Sequence, residues 1–292
     1  MSLSVRSLHI YPVKSCAGID LDASAIDGAG LAHDRRWLVV AGARFLTQRQ
    51  VPTMALVRTA LTATHLQLRA PGMPLLEVPL DGSELAAVEE PVTVWRDTFP
   101  ARSESAAAAR WFSDFLGHPC RLYKIDIQAA GRAVSPDWIG RWRGEHGDLA
   151  AGFDGNHFFG FADGYPVLIV NQASLDELNQ RLRAKGRDPI PMDRFRPNIV
   201  LDGDDLGAYE EDHIALFARG DDIRLAVVKP CTRCSIPDVD QATGRQGDEP
   251  GLTLTATRSM DMGVVFGQNA IVDARPGAIL RVGDQISAEW KF

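Results

Sequence analysis

The chain has 292 residues, 45% of them hydrophobic and 24% charged, which is the balance of a globular protein with one large domain or two ordinary ones. The formal net charge of −7 argues against a dominant nucleic-acid-binding function, although a net count leaves room for a local basic pocket. Residues 1–15 contain no apolar run typical of a secretory signal, and no stretch reaches the roughly 18 apolar residues of a membrane span. We therefore expect a cytoplasmic protein that binds neither nucleic acid nor membrane.

The first hundred residues predict a series of short strands. Alternating or continuous apolar runs lie at 5–11, 37–40, 61–68 and 92–95. Turn signals such as Asp27-Gly28 and Asp81-Gly82 separate these runs. This spacing is typical of an antiparallel barrel or sandwich.

A helix and a long loop are predicted next. Ser103 or Ser105 can cap the helix, a run of four alanines favours it, and Gly117 ends it. Its apolar face is formed by Trp111, Phe112 and Phe115. Residues 131–164 are rich in Gly, Asp and aromatic residues without a clear period, which predicts a loop of the kind that often carries function.

The second half predicts further strands around one helix. The strands are expected at 166–170, 198–201, 223–228 and 278–282. Ser174 and Glu177 have the spacing of a capping box, so the helix is predicted to begin there and to end at Gly186. Three leucines share its apolar face: Leu175, Leu178 and Leu182.

The tetrapeptide Cys231-Thr232-Arg233-Cys234 requires a chemical explanation. A zinc site would need a second pair of ligands, for which only the distant Cys16 and Cys120 are available. A dithiol redox motif should open a helix, whereas residues 235–238 are predicted to be a loop. A third interpretation takes one thiolate as the ligand of a soft, redox-active metal whose other ligands come from a cofactor. Two buried structural cysteines are the plainest alternative.

Three basic segments lie beside predicted strands. They are Lys14-Ser15, Asp34-Arg35-Arg36 and Arg194-Phe195-Arg196-Pro197-Asn198. Arginine suits bidentate phosphate recognition and lysine suits point-charge contact, so each segment is a candidate for binding an anion. For each one alone, a solvated surface charge is the alternative.

Seven segments in chain order carry a resemblance to a known family. They are IYPVKSCAG, HDRRWLVV, FLTQRQVPTMALV, YPVLIVNQASLDELNQRL, RFRPNIVLDG, KPCTRCSIPDVDQATG and FGQNA. Together they resemble proteins with a molybdenum-cofactor sulfurase C-terminal (MOSC) domain and a MOSC N-terminal β-barrel domain. The likeness includes the mitochondrial amidoxime-reducing component and bacterial reductases of N-hydroxylated bases.

The resemblance implies a mixed α/β, strand-rich fold in two domains. Residues 1–125 would form the N-terminal β-barrel domain. Residues 126–292 would form the MOSC domain, a β-barrel with flanking helices. The second cysteine of the family's C-x-R-C segment binds molybdenum, and here it is Cys234. The positions carried over for cofactor binding are Lys14, Ser15, Arg35, Arg196, Asn198, Thr232, Arg233 and Asn269.

The implied activity is a molybdenum-dependent, two-electron reduction of N–O bonds in small N-hydroxylated molecules, with Cys234 as the catalytic ligand. Two alternatives are a molybdopterin or sulfur carrier without turnover, and a thiol redox protein without metal. The sequence has no iron–sulfur cluster spacing, no G-x-G-x-x-G motif and no haem motif. Electrons are therefore expected from a separate protein that carries flavin, haem or an iron–sulfur cluster.

Overall fold

Strands predominate in the computed structural model, which describes residues 3–291. In the first half they are β1 (Leu3–Ile10), β2 (Ile19–Leu21), β3 (Ala23–Asp27), β4 (Gly30–Leu31), β5 (Trp37–Ala41), β6 (Arg44–Phe45), β7 (Arg58–Leu61), β8 (His65–Arg69), β9 (Leu76–Pro79), β10 (Glu90–Val94), β11 (Asp97–Ser103) and β12 (Arg121–Lys124). In the second half they are β13 (Val167–Asn171), β14 (Ile199–Asp202), β15 (Ile214–Arg219), β16 (Ile223–Thr232), β17 (Ser259–Met260), β18 (Gly263–Ala274), β19 (Ile279–Arg281) and β20 (Gln285–Trp290).

The described residues also form five α-helices. They are α1 (Ala106–Leu116), α2 (Ile127–Ala130), α3 (Pro136–Glu145), α4 (Gln172–Ala184) and α5 (Gly251–Thr257). Within residues 3–291, no helix is long and apolar enough to span a membrane. The prediction of a mixed α/β, strand-rich fold is confirmed.

Seven strands close into a barrel. Their order is β13-β14-β1-β20-β15-β16-β18, and β18 pairs back onto β13 through Val167 and Ala270. The interior is filled by apolar side chains such as Leu8, Ile169 and Phe217. Because β1 lies between β14 and β20, the first strand of the chain belongs to a barrel built mostly from residues after 166. The division into domains at 125/126 stays a prediction.

The first half of the chain forms a second apolar core. A five-stranded sheet, β10-β11-β12-β5-β6, and a three-stranded sheet, β7-β8-β9, contribute to it together with α1. Helix α1 begins as predicted, since the Ser105 side chain accepts a hydrogen bond from the Ala108 backbone. It ends at Gly117, whose φ of 76° is the left-handed conformation that glycine adopts most readily.

Two predicted elements are wrong in detail. The run 61–68, predicted as one strand, is the end of β7, a turn and most of β8. The Thr62 hydroxyl stabilises this turn by accepting hydrogen bonds from the backbone of Thr64 and His65. The predicted loop 131–164 contains α3, which starts at Pro136, the residue type favoured in the first helical position. Gly140 and Gly144 lie within α3, and because glycine is a poor helix former they weaken the helical pattern of the sequence.

Helix α4 has the predicted apolar face but not the predicted start. Asn171 caps it, with the side-chain oxygen accepting from the Ala173 backbone at 3.2 Å. Ser174 lies inside the helix, and its hydroxyl donates to the buried carboxylate of Glu211, whose two oxygens lie 2.8 and 2.7 Å away. The capping-box prediction for Ser174 and Glu177 is therefore wrong, because a tertiary partner competes for the serine.

The buried Glu211 gives a prediction for the pH dependence of stability. Burial raises the pKa of its carboxyl to about 7, well above the usual range of a glutamate. A folded-state pKa above the unfolded value gives stability that is present at low pH and lost as pH rises through about 7. We expect Glu211→Gln to become more stable relative to the wild type between pH 5 and 8, by about 2–3 kcal/mol. Urea unfolding of both proteins across this range measures the difference; a difference independent of pH would contradict it.

Candidate functional site

A cleft of about 210 Å³ opens at one end of the barrel, where β1 and β16 end and where β13 and β14 begin. All nine residues predicted for the site line this cleft: Lys14, Ser15, Arg35, Arg196, Asn198, Thr232, Arg233, Cys234 and Asn269. They come from five separate parts of the sequence. The barrel therefore brings together every predicted site residue.

The cleft is strongly cationic although the protein is acidic overall. Its lining includes seven basic residues, namely Lys14, Arg35, Arg49, Arg194, Arg196, Lys229 and Arg233. The single acidic side chain among its described lining residues is Asp163. Such a concentration of positive charge in a concave surface favours an anionic ligand.

The cysteine motif leaves the barrel at the irregular end of β16. The pairing of β16 with β18 shifts register twice, between Val227 and Lys229 and again between Pro230 and Thr232. Proline cannot donate to a sheet ladder, so it is tolerated at such bulges, which re-aim the side chains that follow. Cys234 is exposed at the cleft.

The other cysteine of the motif has a different environment. Cys231 is half-buried, and burial raises the pKa of its thiol. Cys16 and Cys120 pack in the apolar core of the first half of the chain. Within residues 3–291, no group of three or more His, Cys, Asp or Glu residues could hold a metal ion. The four cysteines therefore do not converge on one zinc ion.

Arg35 is fixed by protein groups on every side. Its Nη1 atom donates to Asp34 and, at 2.9 Å, to Asn198 Oδ1, while Nη2 donates to the Arg196 carbonyl at 3.0 Å. Its backbone has a φ of 47°, which is uncommon for a residue with a side chain. Gly160 lies against it so closely that an added Cβ would stand 2.4 Å from the Arg35 carbonyl oxygen. Arg35 is thus held rigidly at the cleft wall.

Asn198 links Arg35 to strands β1 and β13. Its Oδ1 atom accepts from Arg35 and from the Leu168 backbone at 3.1 Å, and its Nδ2 atom donates to the His9 carbonyl at 3.2 Å. Both ends of the amide therefore already bind protein groups. A direct contact between Asn198 and a cofactor stays a prediction, and the bonds present make it a positioning residue for Arg35.

Arg196 is held in place but left without a hydrogen-bond acceptor. Its guanidinium lies 4.2 Å from the centre of the Tyr11 ring and donates no hydrogen bond to any residue within 3–291. Burial lowers its pKa to about 10, so it stays protonated at neutral pH. Its φ is 55°, and Ser15 shares this left-handed conformation with a φ of 67°. Such backbone strain in non-glycine residues tends to cluster at functional sites.

Lys14 is buried at the cleft and forms an ion pair with Asp163, whose side chain is exposed. Its Nζ atom donates to the Phe161 carbonyl at 2.7 Å and to Asp163 at 2.6 Å. Burial lowers the pKa of Lys14; burial alone would raise that of Asp163, but the lysine overrides this effect and the carboxyl pKa falls to about 2. Trp95 donates its indole N–H to the same carboxylate. The Asp163 carboxylate therefore stays ionised at neutral pH and, with the Phe161 carbonyl, holds Lys14 in place.

Arg233 retains one unused donor. Its Nε atom donates to the Phe266 carbonyl at 2.8 Å, and its Nη1 atom donates to the Phe195 carbonyl at 3.0 Å. The buried Nη2 atom has no acceptor among residues 3–291. A buried donor without a partner costs free energy unless a ligand or water satisfies it.

Three charged cleft residues lie outside the sequence predictions: Arg49, Asp163 and Lys229. Arg49 stacks on Trp95 at 4.5 Å, and Lys229 lies 5.1 Å from the Trp138 ring. Isolated charges of this kind cannot be distinguished from surface residues without the fold. A signal was present for Arg49 and Lys229, which lie inside the family-like segments FLTQRQVPTMALV and KPCTRCSIPDVDQATG.

The fold and the cleft define a class of protein: a closed barrel with a cationic cleft and an exposed cysteine at its rim. Family models match as the MOSC N-terminal beta barrel domain over residues 2–119 and as the MOSC domain over residues 154–287. The chain belongs to this family.

Curated relatives extend the comparison. The mitochondrial amidoxime reducing component 2 of Bos taurus is 32% identical over 88% of this chain and 73% of its own length. The protein of the same name from Rattus norvegicus is 30% identical over 97% of this chain and 82% of its length. A molybdenum cofactor sulfurase of Aspergillus niger is 29% identical over 92% of this chain, which spans only 38% of that relative.

Proposed function

We propose that this protein binds a molybdenum–pterin cofactor in the cationic cleft and uses it to reduce small N-hydroxylated molecules. The observation that carries the proposal is the convergence of an exposed cysteine with seven basic residues in one cleft. The similarity of the chain to proteins named amidoxime reducing component and molybdenum cofactor sulfurase supports this choice of cofactor. The similarity to the former supports the choice of substrate.

The residues of the cleft fit such a cofactor. Its phosphate requires cations, and Arg196 offers a guanidinium without a described hydrogen-bond acceptor. The buried Nη2 atom of Arg233 likewise has no acceptor among residues 3–291. Lys14 and Arg35 add fixed positive charge, and further polar contacts to the pterin would come from Ser15, Thr232 and Asn269. Cys234 would provide the thiolate that a soft metal prefers.

The reaction we propose is the conversion of an amidoxime into an amidine. The N–O bond breaks, and two electrons and two protons reduce the substrate to the amidine and water. When bound, the cofactor supplies a two-electron redox metal centre. The protein holds the cofactor's charge in the cationic cleft and presents the Cys234 thiolate at its rim. The electrons come from a separate protein carrying flavin, haem or an iron–sulfur cluster.

A carrier that binds molybdopterin or sulfur without turnover is the second candidate. It is favoured by the similarity to molybdenum cofactor sulfurases and by the presence of two cysteines at the cleft. The two functions differ in one observable property. A reductase turns over N-hydroxylated substrates when a reductant is supplied, whereas a carrier retains its cofactor and does not.

The electron supply gives the test. We expect the purified holoprotein to be inert toward benzamidoxime with reduced nicotinamide alone and active with a strong artificial one-electron donor. A candidate reductase partner should restore nicotinamide-driven turnover, and this turnover should weaken as salt rises if charges steer the encounter. Robust turnover with nicotinamide alone would contradict the need for a separate donor. A cofactor-loaded protein that is inactive with every donor would favour the carrier.

A further inference from the structure

A second groove also reaches Cys234. It has a volume of about 400 Å³, and its lining includes Cys234, Asp238, Asp248 and Leu252. Arg233, Cys234 and Pro237 line both this groove and the cationic cleft. The two cavities therefore meet at the cysteine.

Exposed apolar side chains lie in the groove and on the hairpin beside it. Leu252 on α5 is 56% exposed and lines the groove. The neighbouring β17–β18 hairpin carries Met260 and Met262, which are 39% and 41% exposed. Exposed apolar clusters of this kind mark binding surfaces, and flexible methionines adapt to ligands of different shapes.

The groove differs from the cleft in charge. It is lined by two carboxylates, Asp238 and Asp248. Asp238 Oδ1 accepts from the Gly251 backbone at 2.7 Å, and no residue within 3–291 donates a hydrogen bond to Oδ2. Asp248 makes only an exposed ion pair with Arg187, 3.3 Å apart. Both carboxylates are thus available to accept hydrogen bonds from a ligand's N–H groups.

We propose that this groove is the substrate subsite, which holds an apolar or aromatic body bearing an amidine-like group at Cys234. The inference rests on the proposed function, in which the anionic cofactor fills the cationic cleft and the reacting N–O bond must reach the metal that Cys234 would bind. The groove is the second cavity that reaches this residue. Its volume suits a small molecule.

The charge of the groove sets the selectivity. Asp238 and Asp248 favour substrates and products whose nitrogen atoms donate hydrogen bonds or carry positive charge. A carboxylate on the ligand would meet like charge. Benzamidine, benzamide and benzoate have nearly the same shape and differ in charge, so their affinities for the holoprotein should fall in that order.

The test measures the binding of these three probes by calorimetry to the holoprotein and its variants. Leu252→Gln should weaken benzamidine binding about five- to tenfold, because it removes apolar contact area. Leu75→Gln is the matched control, since Leu75 is 40% exposed outside the residues that line either cavity. Asp248→Asn should weaken benzamidine about threefold and leave benzamide unchanged.

A second measurement separates this inference from the proposed function. The KM for benzamidoxime, with an artificial donor, should rise in Leu252→Gln by the same factor as the benzamidine dissociation constant. If benzamidine does not bind, or if Leu252→Gln binds it like the wild type, the subsite is overturned. If Leu252→Gln changes only the turnover driven by a partner protein, the groove is a protein-docking surface, and the substrate subsite is again overturned. If the binding results hold but no variant or wild type turns over, the subsite stands and the reductase function fails.

Discussion

Replacing Cys234 with serine should abolish reduction of benzamidoxime and leave the fold intact. Cys234 is exposed at the cleft, so its side chain contributes little to packing. A serine hydroxyl is a poor ligand for a soft metal, and activity should fall by more than about a hundredfold, since even changes around metal ligands cost ten- to a hundredfold. Turnover with an artificial donor and molybdenum X-ray absorption measure the two effects.

Cys231→Ser is the matched control for this experiment. Cys231 lines the same cleft three residues earlier, but it is half-buried and burial disfavours its thiolate. We expect the control to keep most of its activity and its full set of metal–sulfur contacts. The opposite pattern, with Cys231→Ser inactive and Cys234→Ser retaining its metal–sulfur shell, would show that the wrong cysteine has been assigned.

Replacing Arg196 with alanine should remove bound cofactor without destabilising the protein. The Arg196 guanidinium makes no hydrogen bond within residues 3–291, so its loss leaves no protein group unpaired. Removing one charge-assisted phosphate contact should cost about 1.5–3 kcal/mol, or roughly ten- to a hundredfold in affinity. Pterin content after purification and a thermal melt decide the prediction.

Two further variants sharpen this result. Arg183→Ala, at an exposed position of α4 that does not line the cleft, removes the same charge and should keep full cofactor content. Arg35→Ala should lose both cofactor and stability, because Asp34 and Asn198 would each lose the hydrogen bond that Arg35 now donates to them. Full cofactor occupancy in Arg196→Ala would rule out its role in the cleft.

Local signals explain which elements could be predicted. The helix at 106–116 has its cap, its apolar face and its terminal glycine in one short segment, and of the two predicted caps Ser105 is the one that forms. The closure of the barrel could not be predicted, because β13 and β18 pair across about a hundred residues and strand pairing of that range has no local signature. The predicted start of α4 is wrong for the same reason, because Ser174 donates its hydrogen bond to Glu211, which is distant in sequence.

The candidate site shows the same limit. The nine predicted residues meet in one cleft, which a family resemblance suggested but composition and spacing alone did not. Arg49 and Lys229 were missed because a single charge beside a strand resembles any solvated residue. The groove that reaches Cys234 was also missed, since α5 is only seven residues long and its exposed Leu252 has no periodic pattern around it.

The molybdenum and pterin content of the wild-type protein, purified from a host that makes the cofactor, tests the central claim most directly. We predict one molybdenum atom and one pterin phosphate for each chain, held by the cationic cleft. Arg196→Ala, purified in parallel, should contain clearly less of both. Wild-type protein that is folded by its thermal melt but contains neither molybdenum nor pterin would contradict the account.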